Sequence, residues 1–308
     1  MNAALLYPFI LAAGALQALG NAMNAQLRGA LVNPWLAATV SFAPIVFVFV
    51  TLFLVMPTPL PSVDQLAAMP WYAPLGGVAG AVAVFGGLIL VDKVGAGPFN
   101  GLTLTANILT SLALDALGLF GMQAGGFKPM PWLGGLLMVV GVALIARTGA
   151  ESDDGGEDRG MGGKLLYPFI LVAGALQAIG VVWNGQLREA LVNPWLAATV
   201  SFLPVVFVFA LIVLVRPTPL PTRRDIARLR WWMPLAGLTG AVAVFAGLLF
   251  VATVGAGAFN GLLITANLLT SVALDHFGWL GMKRVAAGPQ RLGGAALMVA
   301  GIVLISVF

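Results

Sequence analysis

A narrow stripe of polar side chains within a long apolar segment is the feature of this sequence that could bind a solute or carry a proton. Asn100, Asn107, Ser111 and Asp115 follow one another at intervals of seven, four and four residues. At about 100° per residue of helix, all four lie within about 60° of one another. Such groups either line a water-filled cavity or hydrogen-bond neighbouring helices, and both interpretations stay open. The stripe occurs a second time as Asn260, Asn267, Ser271 and Asp275.

A second polar stripe consists of Gln17, Asn24 and Arg28, spaced by seven and four residues. Its amides could bind a polar ligand without a fixed charge. The arginine lies at the end of its apolar segment, from which a long cationic side chain reaches the membrane interface. This stripe returns as Gln177, Asn184 and Arg188. The predicted substrate-binding residues are Gln17, Asn24, Asn107, Ser111, Gln177, Asn184, Asn267 and Ser271, and the predicted cavity-lining residues are Asn100 and Asn260.

Asp115 and Asp275 are the acidic residues that fall inside the apolar segments. Each lies about six residues past the middle of its segment, or about 9 Å from the centre of the membrane. A carboxylate at that depth could exchange a proton and gate transport, or it could bond to the backbone of a helix end. We predict a gating or proton-coupling role for both acids and keep the helix-end interpretation beside it. His276 follows Asp275, but Ala116 stands at the matching place, so a histidine relay is not common to both stripes.

These residues are carried by apolar segments long enough to cross a membrane. About 20 helical residues cross a hydrocarbon core of about 30 Å, and only helices satisfy the backbone of such segments in lipid. The predicted fold class is therefore an all-α polytopic membrane protein with ten transmembrane helices. The predicted spans are 5–27, 34–56, 72–91, 98–120, 131–147, 165–187, 194–215, 232–251, 258–280 and 291–308.

Composition places the chain in the same class. Of its 308 residues, 60% are hydrophobic and 8% are charged, whereas a soluble domain carries about 25% charged residues. The absence of cysteine excludes disulfides and thiolate metal sites, and with a single histidine we expect no metal and no cofactor. We find no catalytic constellation and no basic, aromatic-interleaved face, so we expect neither an enzyme nor a nucleic-acid-binding protein. The expected partners are the lipid bilayer, a small-molecule substrate and, as a candidate coupling ion, the proton, and the chain would be a monomer or a homodimer.

The second half of the chain repeats the first with a shift of 160 residues and no gaps. Residues 30–42 and 190–202, for example, are identical. Because five spans are an odd number, the second copy must enter the membrane in the opposite orientation. We therefore predict a first five-helix repeat at 1–148, an acidic, glycine-rich cytoplasmic linker at 149–163, and an inverted five-helix repeat at 164–308.

Basic residues are divided unequally between the two ends of the predicted spans. Only Lys128 and Arg188 fall on one face, and the other thirteen fall on the opposite face. Positive charge stays in the cytoplasm, so we predict a multi-pass protein of the bacterial inner membrane with both termini outside. Residues 57–70 contain no basic residue, whereas five arginines lie in and just before the matching loop of the second copy. The thirteen are Arg28, Lys93, Arg147, Arg159, Lys164, Arg216, Arg223, Arg224, Arg228, Arg230, Lys283, Arg284 and Arg291.

Glycine is concentrated in the third span of each copy. Close packing of neighbouring helices through small residues is one interpretation, and a sliding element for alternating access is the other. The glycines are Gly76, Gly77, Gly80, Gly86 and Gly87 in the first copy and Gly237, Gly240 and Gly247 in the second.

Several stretches of the chain resemble a known family. They are GALQALGNAMNAQLR at 14–28, PWYAPLGGVAGAV at 70–82, VGAG at 94–97, NILTSLALDALGLFG at 107–121 and NLLTSVALDHFGWLG at 267–281. Together they are similar to the YdcZ-like family of the drug/metabolite transporter (DMT) superfamily, whose signature includes S-x-x-x-D-x-x-G. Asn107 and Asn267 stand where that signature usually has glutamine, and Ala116 stands in place of its histidine. The resemblance implies a fused tandem form with a DMT-type ten-helix bundle, and a central cavity lined by helices one, three and four of each half.

These observations predict a secondary transporter, taken as an exporter, of a small polar metabolite or organic solute. We expect alternating access by rocking of one five-helix half against the other, with Asp115 and Asp275 near the two mouths. A passive pore or lipid scramblase, and a structural membrane protein without transport, are the alternatives. A path closed on one side at a time would favour the transporter, a continuous path the pore, and a dry core with its polar groups used up between helices the structural protein.

Overall fold

The computed structural model describes residues 3–151, 166–216, 218–281 and 284–308. The predicted linker at 149–163 lies mainly outside these residues. Its described part, 149–151, is the last turn of a helix, which therefore runs further than we predicted. No proline follows that turn to stop it.

Ten long helices and several short helical turns make up the described chain, and no strand occurs in it. The predicted all-α polytopic fold class is thereby confirmed. Nine of the described helices are long and apolar enough to cross a membrane, and the remaining long helix, α4, carries the first polar stripe. The long helices are α1 (Tyr7–Leu31), α2 (Pro34–Val55), α3 (Gly76–Val94), α4 (Ala96–Leu117), α5 (Pro129–Glu151), α6 (Tyr167–Leu191), α7 (Pro194–Val215), α8 (Ala236–Val254), α9 (Ala256–Phe277) and α10 (Pro289–Val307).

The helix ends are set by residues that both copies share. The side-chain oxygen of Asn33 accepts hydrogen bonds from the backbone N–H groups of Trp35 and Leu36, at 3.0 and 3.1 Å, and so caps α2. Gly95 separates α3 from α4 with a φ of 88°, which only glycine adopts without strain. Asn193 and Gly255 repeat these roles, and the first four long helices of the two copies begin and end at matching positions.

The two copies are interleaved rather than packed side by side. Helix α1 packs against α8 and α9 of the second copy, and α6 packs against α3 and α4 of the first. Helix α2 lies against α7, and α5 lies against α10. Each first helix thus contacts the other copy more extensively than its own, so the expected rocking of one five-helix half as a rigid body does not fit this packing.

Glycines allow the closest of these approaches between the copies. A methyl group on Gly77 would collide with the backbone oxygen of Ser201 in α7, and one on Gly237 would collide with that of Ser41 in α2. By contrast, a methyl group on Gly80 or Gly240 would meet no atom within 4 Å. Gly77 and Gly237 therefore serve helix packing, which is the first of the two interpretations of the glycine-rich third spans.

Candidate functional site

Two amide pairs join the copies at related positions. The Asn107 side-chain nitrogen in α4 donates to the Gln177 side-chain oxygen in α6, at 3.0 Å. The Asn267 nitrogen in α9 donates to the Gln17 oxygen in α1, at 3.1 Å. Four of the eight predicted substrate-binding residues thus come together, as two pairs related by the internal repeat. Asn107 is buried and the other three are half-buried.

The first pair continues into a chain of hydrogen bonds where α4 crosses α9. The hydroxyl of Ser111 donates to the backbone oxygen of Asn107, at 2.7 Å. In turn the Asn260 nitrogen donates to the Ser111 hydroxyl, at 3.0 Å. Both Ser111 and Asn260 are buried, so the end of α4 and the start of α9 are closed against each other.

The related crossing, between the start of α4 and the end of α9, has a different structure. Asn100 matches Asn260, and yet it is exposed, while Ser271, the match of Ser111, is half-buried. Over the described residues no hydrogen bond joins Asn100 to Ser271, as one joins Asn260 to Ser111. We call this crossing open, because Asn100 is exposed and the hydrogen bond is missing, and we call the crossing of Ser111 and Asn260 closed.

Helix packing shows the same inequality. On the closed side, Val182 of α6 packs in one apolar cluster with Ala246 and Val251 of α8. The matching helices of the first copy, α1 and α3, make no comparable contact over the described residues, and Asn21 and Ala25 of α1 are exposed. We refer to the exposed region beside Asn100, between α1, α3 and the start of α4, as the opening.

Asp115 joins the end of α4 to the start of α9 by hydrogen bonds with backbone atoms. Its two carboxylate oxygens accept hydrogen bonds from the backbone N–H groups of Ala256 and Gly257, at 2.7 and 2.6 Å. These N–H groups begin α9 and have no partner within that helix. A negative charge at this end of a helix is also stabilised by the helix dipole. Asp115 therefore caps a helix of the other copy, which sequence reasoning could not assign because the two positions are 141 residues apart.

Asp275 has a different partner. Arg291, near the start of α10, donates to its carboxylate at 3.0 Å. Only 4% of Arg291 is exposed, so the residue belongs to the protein interior and not to the basic face to which the sequence assigned it. Its match in the first copy is Pro131, and this difference was the signal that could have found the ion pair.

The predicted residues Asn24 and Asn184 lie apart from the amide pairs. Asn184 is buried against Gly76, and its side-chain oxygen accepts a hydrogen bond from the hydroxyl of Ser201, at 2.9 Å. Asn24 is half-buried, and the matching Ser41 hydroxyl has no hydrogen-bond partner in the described part of the chain. Asn184 thus joins α6 to α7, which is the structural alternative for a polar residue inside a membrane protein.

Two small cavities lie near the acids rather than at the amide pairs. One, of about 170 Å³, is lined by Asp115, Lys128 and Trp132, among others. The other, of about 420 Å³, is largely apolar and is bordered by His276 and Leu292. The ring nitrogen Nδ1 of His276 accepts a hydrogen bond from the backbone N–H of Ala287, at 3.1 Å, which fixes the ring against the loop before α10.

Comparison with known proteins identifies the family. A family described as "Putative inner membrane exporter, YdcZ" matches residues 5–144 and again 165–304, which also shows the internal duplication. A solved structure described as "Crystal structure of protein" is similar in fold, with a TM-score of 0.70 at 16% identity over 99% of this chain and 96% of that chain. Among the curated proteins, none matches this sequence. The chain therefore belongs to the YdcZ family of DMT-type inner-membrane transporters, as a fused pair of repeats.

Proposed function

We propose that the protein is a secondary transporter that exports a small polar solute across the inner membrane by alternating access. The observation that carries this proposal is the inequality of its two related crossings. The crossing of Ser111 and Asn260 is closed, and the crossing of Asn100 and Ser271 is open. In an inverted repeat, exchanging these two arrangements converts a path open on one side into a path open on the other.

The moving units would be mixed bundles and not the two copies. Helices α1, α8 and α9 pack together, as do α6, α3 and α4. A small rotation of one bundle against the other could close α1 onto α3 and separate α6 from α8. This motion would keep the contacts inside each bundle, whereas rocking one copy against the other would break them.

The two acids would stabilise the two states in turn, each by capping a helix of the other copy. In the present state Asp115 caps α9 and Asp275 pairs with Arg291. In the opposite state the repeat predicts that Asp275 caps the start of α4, as Asp115 now caps the start of α9. A carboxylate that exchanges its partners during the cycle could also exchange a proton, so Asp115 and Asp275 remain our candidates for gating or proton coupling.

The solute would bind at the two amide pairs. The groups nearest the crossing of α4 and α9 are neutral amides and hydroxyls, namely Gln17, Asn107, Ser111, Gln177 and Asn267. Such groups favour a neutral or weakly charged polar solute, because nothing among them would balance several charges. The solute would replace hydrogen bonds that the amides now make with each other, and Asn100, Asn260 and Ser271 would border its path.

The orientation is part of the same proposal. With both termini outside and the 149–163 linker in the cytoplasm, α4 would begin at the cytoplasmic side. Asn100 and the opening would then face the cytoplasm, where a solute awaiting export is found.

Paired cysteine variants test alternating access, because the chain contains no cysteine. In purified protein, Asn100→Cys should react with a soluble maleimide at least ten-fold faster than Asn260→Cys. Adding Asp115→Asn to Asn260→Cys should speed that slow reaction, because an amide cannot accept both backbone N–H groups without turning its own donor toward one of them. Equal rates at the two single positions, or no effect of Asp115→Asn, would refute the proposed closed state.

A structural role without transport is the second candidate, since the amides pair with each other and Asn184 bonds Ser201. A thermal-shift screen of the purified protein against polar metabolites separates the two candidates. A transporter should be stabilised by at least one solute, and Asn107→Ala or Gln177→Ala should abolish that shift. A pore is disfavoured because the closed crossing interrupts any continuous path.

A further inference from the structure

The loop between α7 and α8 concentrates positive charge on one surface. Its five arginines are all exposed, and none forms an ion pair with a described residue. They are Arg216, Arg223, Arg224, Arg228 and Arg230. Five cations beside a single acid in so short a segment leave a net positive charge, which favours an anionic surface that approaches them.

The acid within this loop offsets only one of these charges. The hydroxyl of Thr222 donates to the carboxylate of Asp225 at 2.6 Å, and the backbone N–H of Thr222 donates at 2.8 Å. These two bonds hold the pKa of Asp225 below its usual range, and the bond from the Thr222 hydroxyl has the larger effect. The carboxylate is committed to capping the short helix Arg223–Ile226, so the loop keeps a strong net positive charge.

The loop is held firmly against the body of the protein. Buried Asn33, which caps α2, donates through its side-chain nitrogen to the hydroxyl of Thr218, at 2.7 Å. Leu229 and Trp232 pack onto the apolar cluster that contains Leu27 and Leu31 of α1. Because Leu229 points inward, its neighbours Arg228 and Arg230 are displayed outward. The backbone that carries the arginines is therefore held in place against α1 and α2.

Exposed apolar side chains accompany the arginines. Leu220, Ile226 and Trp231 are exposed, and Trp231 has 83% of its surface free. Tryptophan and aliphatic side chains beside cationic ones are typical of segments that lie at the level of the lipid headgroups.

The first copy provides an internal comparison for this loop. Leu220, Ile226 and Trp231, which we call the apolar anchors, are matched there by Leu60, Leu66 and Trp71, and these side chains too are exposed. The five arginine positions are instead occupied by Met56, Val63, Asp64, Ala68 and Pro70. The exposed apolar side chains that both loops share account for contact with any membrane surface. The arginines distinguish the second loop, which the predicted orientation places at the cytoplasmic surface, and we look for their partner there.

We propose that Arg216 together with residues 218–231 forms a docking site for the headgroups of anionic phospholipids. The guanidinium groups would bind lipid phosphates, which they match in geometry as well as charge, while Leu220, Ile226 and Trp231 insert among the upper acyl chains. The partner is a lipid and not a free anion, because the apolar anchors lie beside the arginines in the same loop.

Native mass spectrometry of the full chain in detergent tests this site. The protein is incubated with equal amounts of phosphatidylglycerol and phosphatidylcholine, and the lipids it retains are counted. The wild type should retain phosphatidylglycerol preferentially. Arg223→Gln with Arg224→Gln should lower that preference by about five-fold for each arginine removed. The matched control, Lys93→Gln with Arg147→Gln, removes two exposed charges elsewhere and should leave the preference unchanged.

Further variants and a competitor make the test decisive. Val63→Arg with Ala68→Arg should give the first loop a similar preference, since its anchors are already present. The proposal fails if the wild type shows no preference for phosphatidylglycerol. It fails as well if the control double variant at Lys93 and Arg147 loses as much of that preference as the double variant at Arg223 and Arg224. It also fails if millimolar inorganic phosphate displaces the lipid, because the site would then bind free anions.

Discussion

Asp115 and Asp275 occupy matching positions in the two copies, and the structure gives them different partners. Asp115 accepts two backbone N–H groups, whereas Asp275 accepts the guanidinium of Arg291. Backbone donors are present whatever the side chains are, but the guanidinium depends on a residue that the first copy replaces with Pro131. Substitutions at the two acids should therefore have unequal effects on the folded protein.

Asp275→Asn should destabilise the protein by about 3 kcal/mol, because Arg291 is buried and would lose its carboxylate. Adding Arg291→Met should restore most of that loss by removing the buried charge as well. Chemical unfolding in detergent measures both changes. Asp64→Asn, at an exposed acid, is the matched control and should change stability by less than about 0.5 kcal/mol. If the double variant were less stable than Asp275→Asn alone, the loss of the ion pair between Asp275 and Arg291 would not be the cause of the destabilisation.

At the scale of helices, close approach through glycine fixes α8 against α2. Gly237→Ala should destabilise the protein by about 1–3 kcal/mol, because the added methyl group would collide with the backbone oxygen of Ser41. Gly240→Ala lies one turn along the same helix, where a methyl group meets open space, and it should have little effect. The midpoint of thermal unfolding distinguishes the two variants. Equal midpoints would favour a sliding role over a packing role for the glycines of the third spans.

The whole molecule has an orientation that single cysteines can measure in intact cells. A cysteine at Lys128 should react with an impermeant maleimide from outside, because this exposed lysine lies on the face that carries few basic residues. A cysteine introduced within 149–163 should react only after the cells are made permeable. The reverse pattern would invert the orientation and would turn the opening beside Asn100 toward the outside.

Much of the architecture could be predicted from the repeated sequence, for definite physical reasons. The length and apolarity of the spans require helices in lipid, and Asn33 before Pro34 marks where α2 begins. Sequence spacing also placed Asn107, Ser111 and Asp115 on one face of a helix. It could not tell that Asn107 bonds Gln177 rather than Gln17, because identical stripes in both copies leave the choice of partner open.

The difference between the open and the closed crossing could not be predicted from the sequence either. Both copies carry the same Asn and Ser residues, so the polar stripes themselves do not distinguish Asn100 from Asn260. Under the proposed alternating access, the crossing that closes would depend on the conformational state of the whole chain. The ion pair of Asp275 and Arg291 did have a visible signal, since a charge stood where the first copy has proline.

The interleaving of the two copies has a consequence for the synthesis and membrane insertion of the protein. Helix α1 leaves the ribosome first, but its main neighbours, α8 and α9, are among the last helices to be made. At ordinary translation rates α1 must wait on the order of tens of seconds in lipid, with its polar amides unpaired. The newly made first copy should therefore be a substrate for membrane chaperones and proteases, and its survival until the second copy arrives would limit the yield of folded protein.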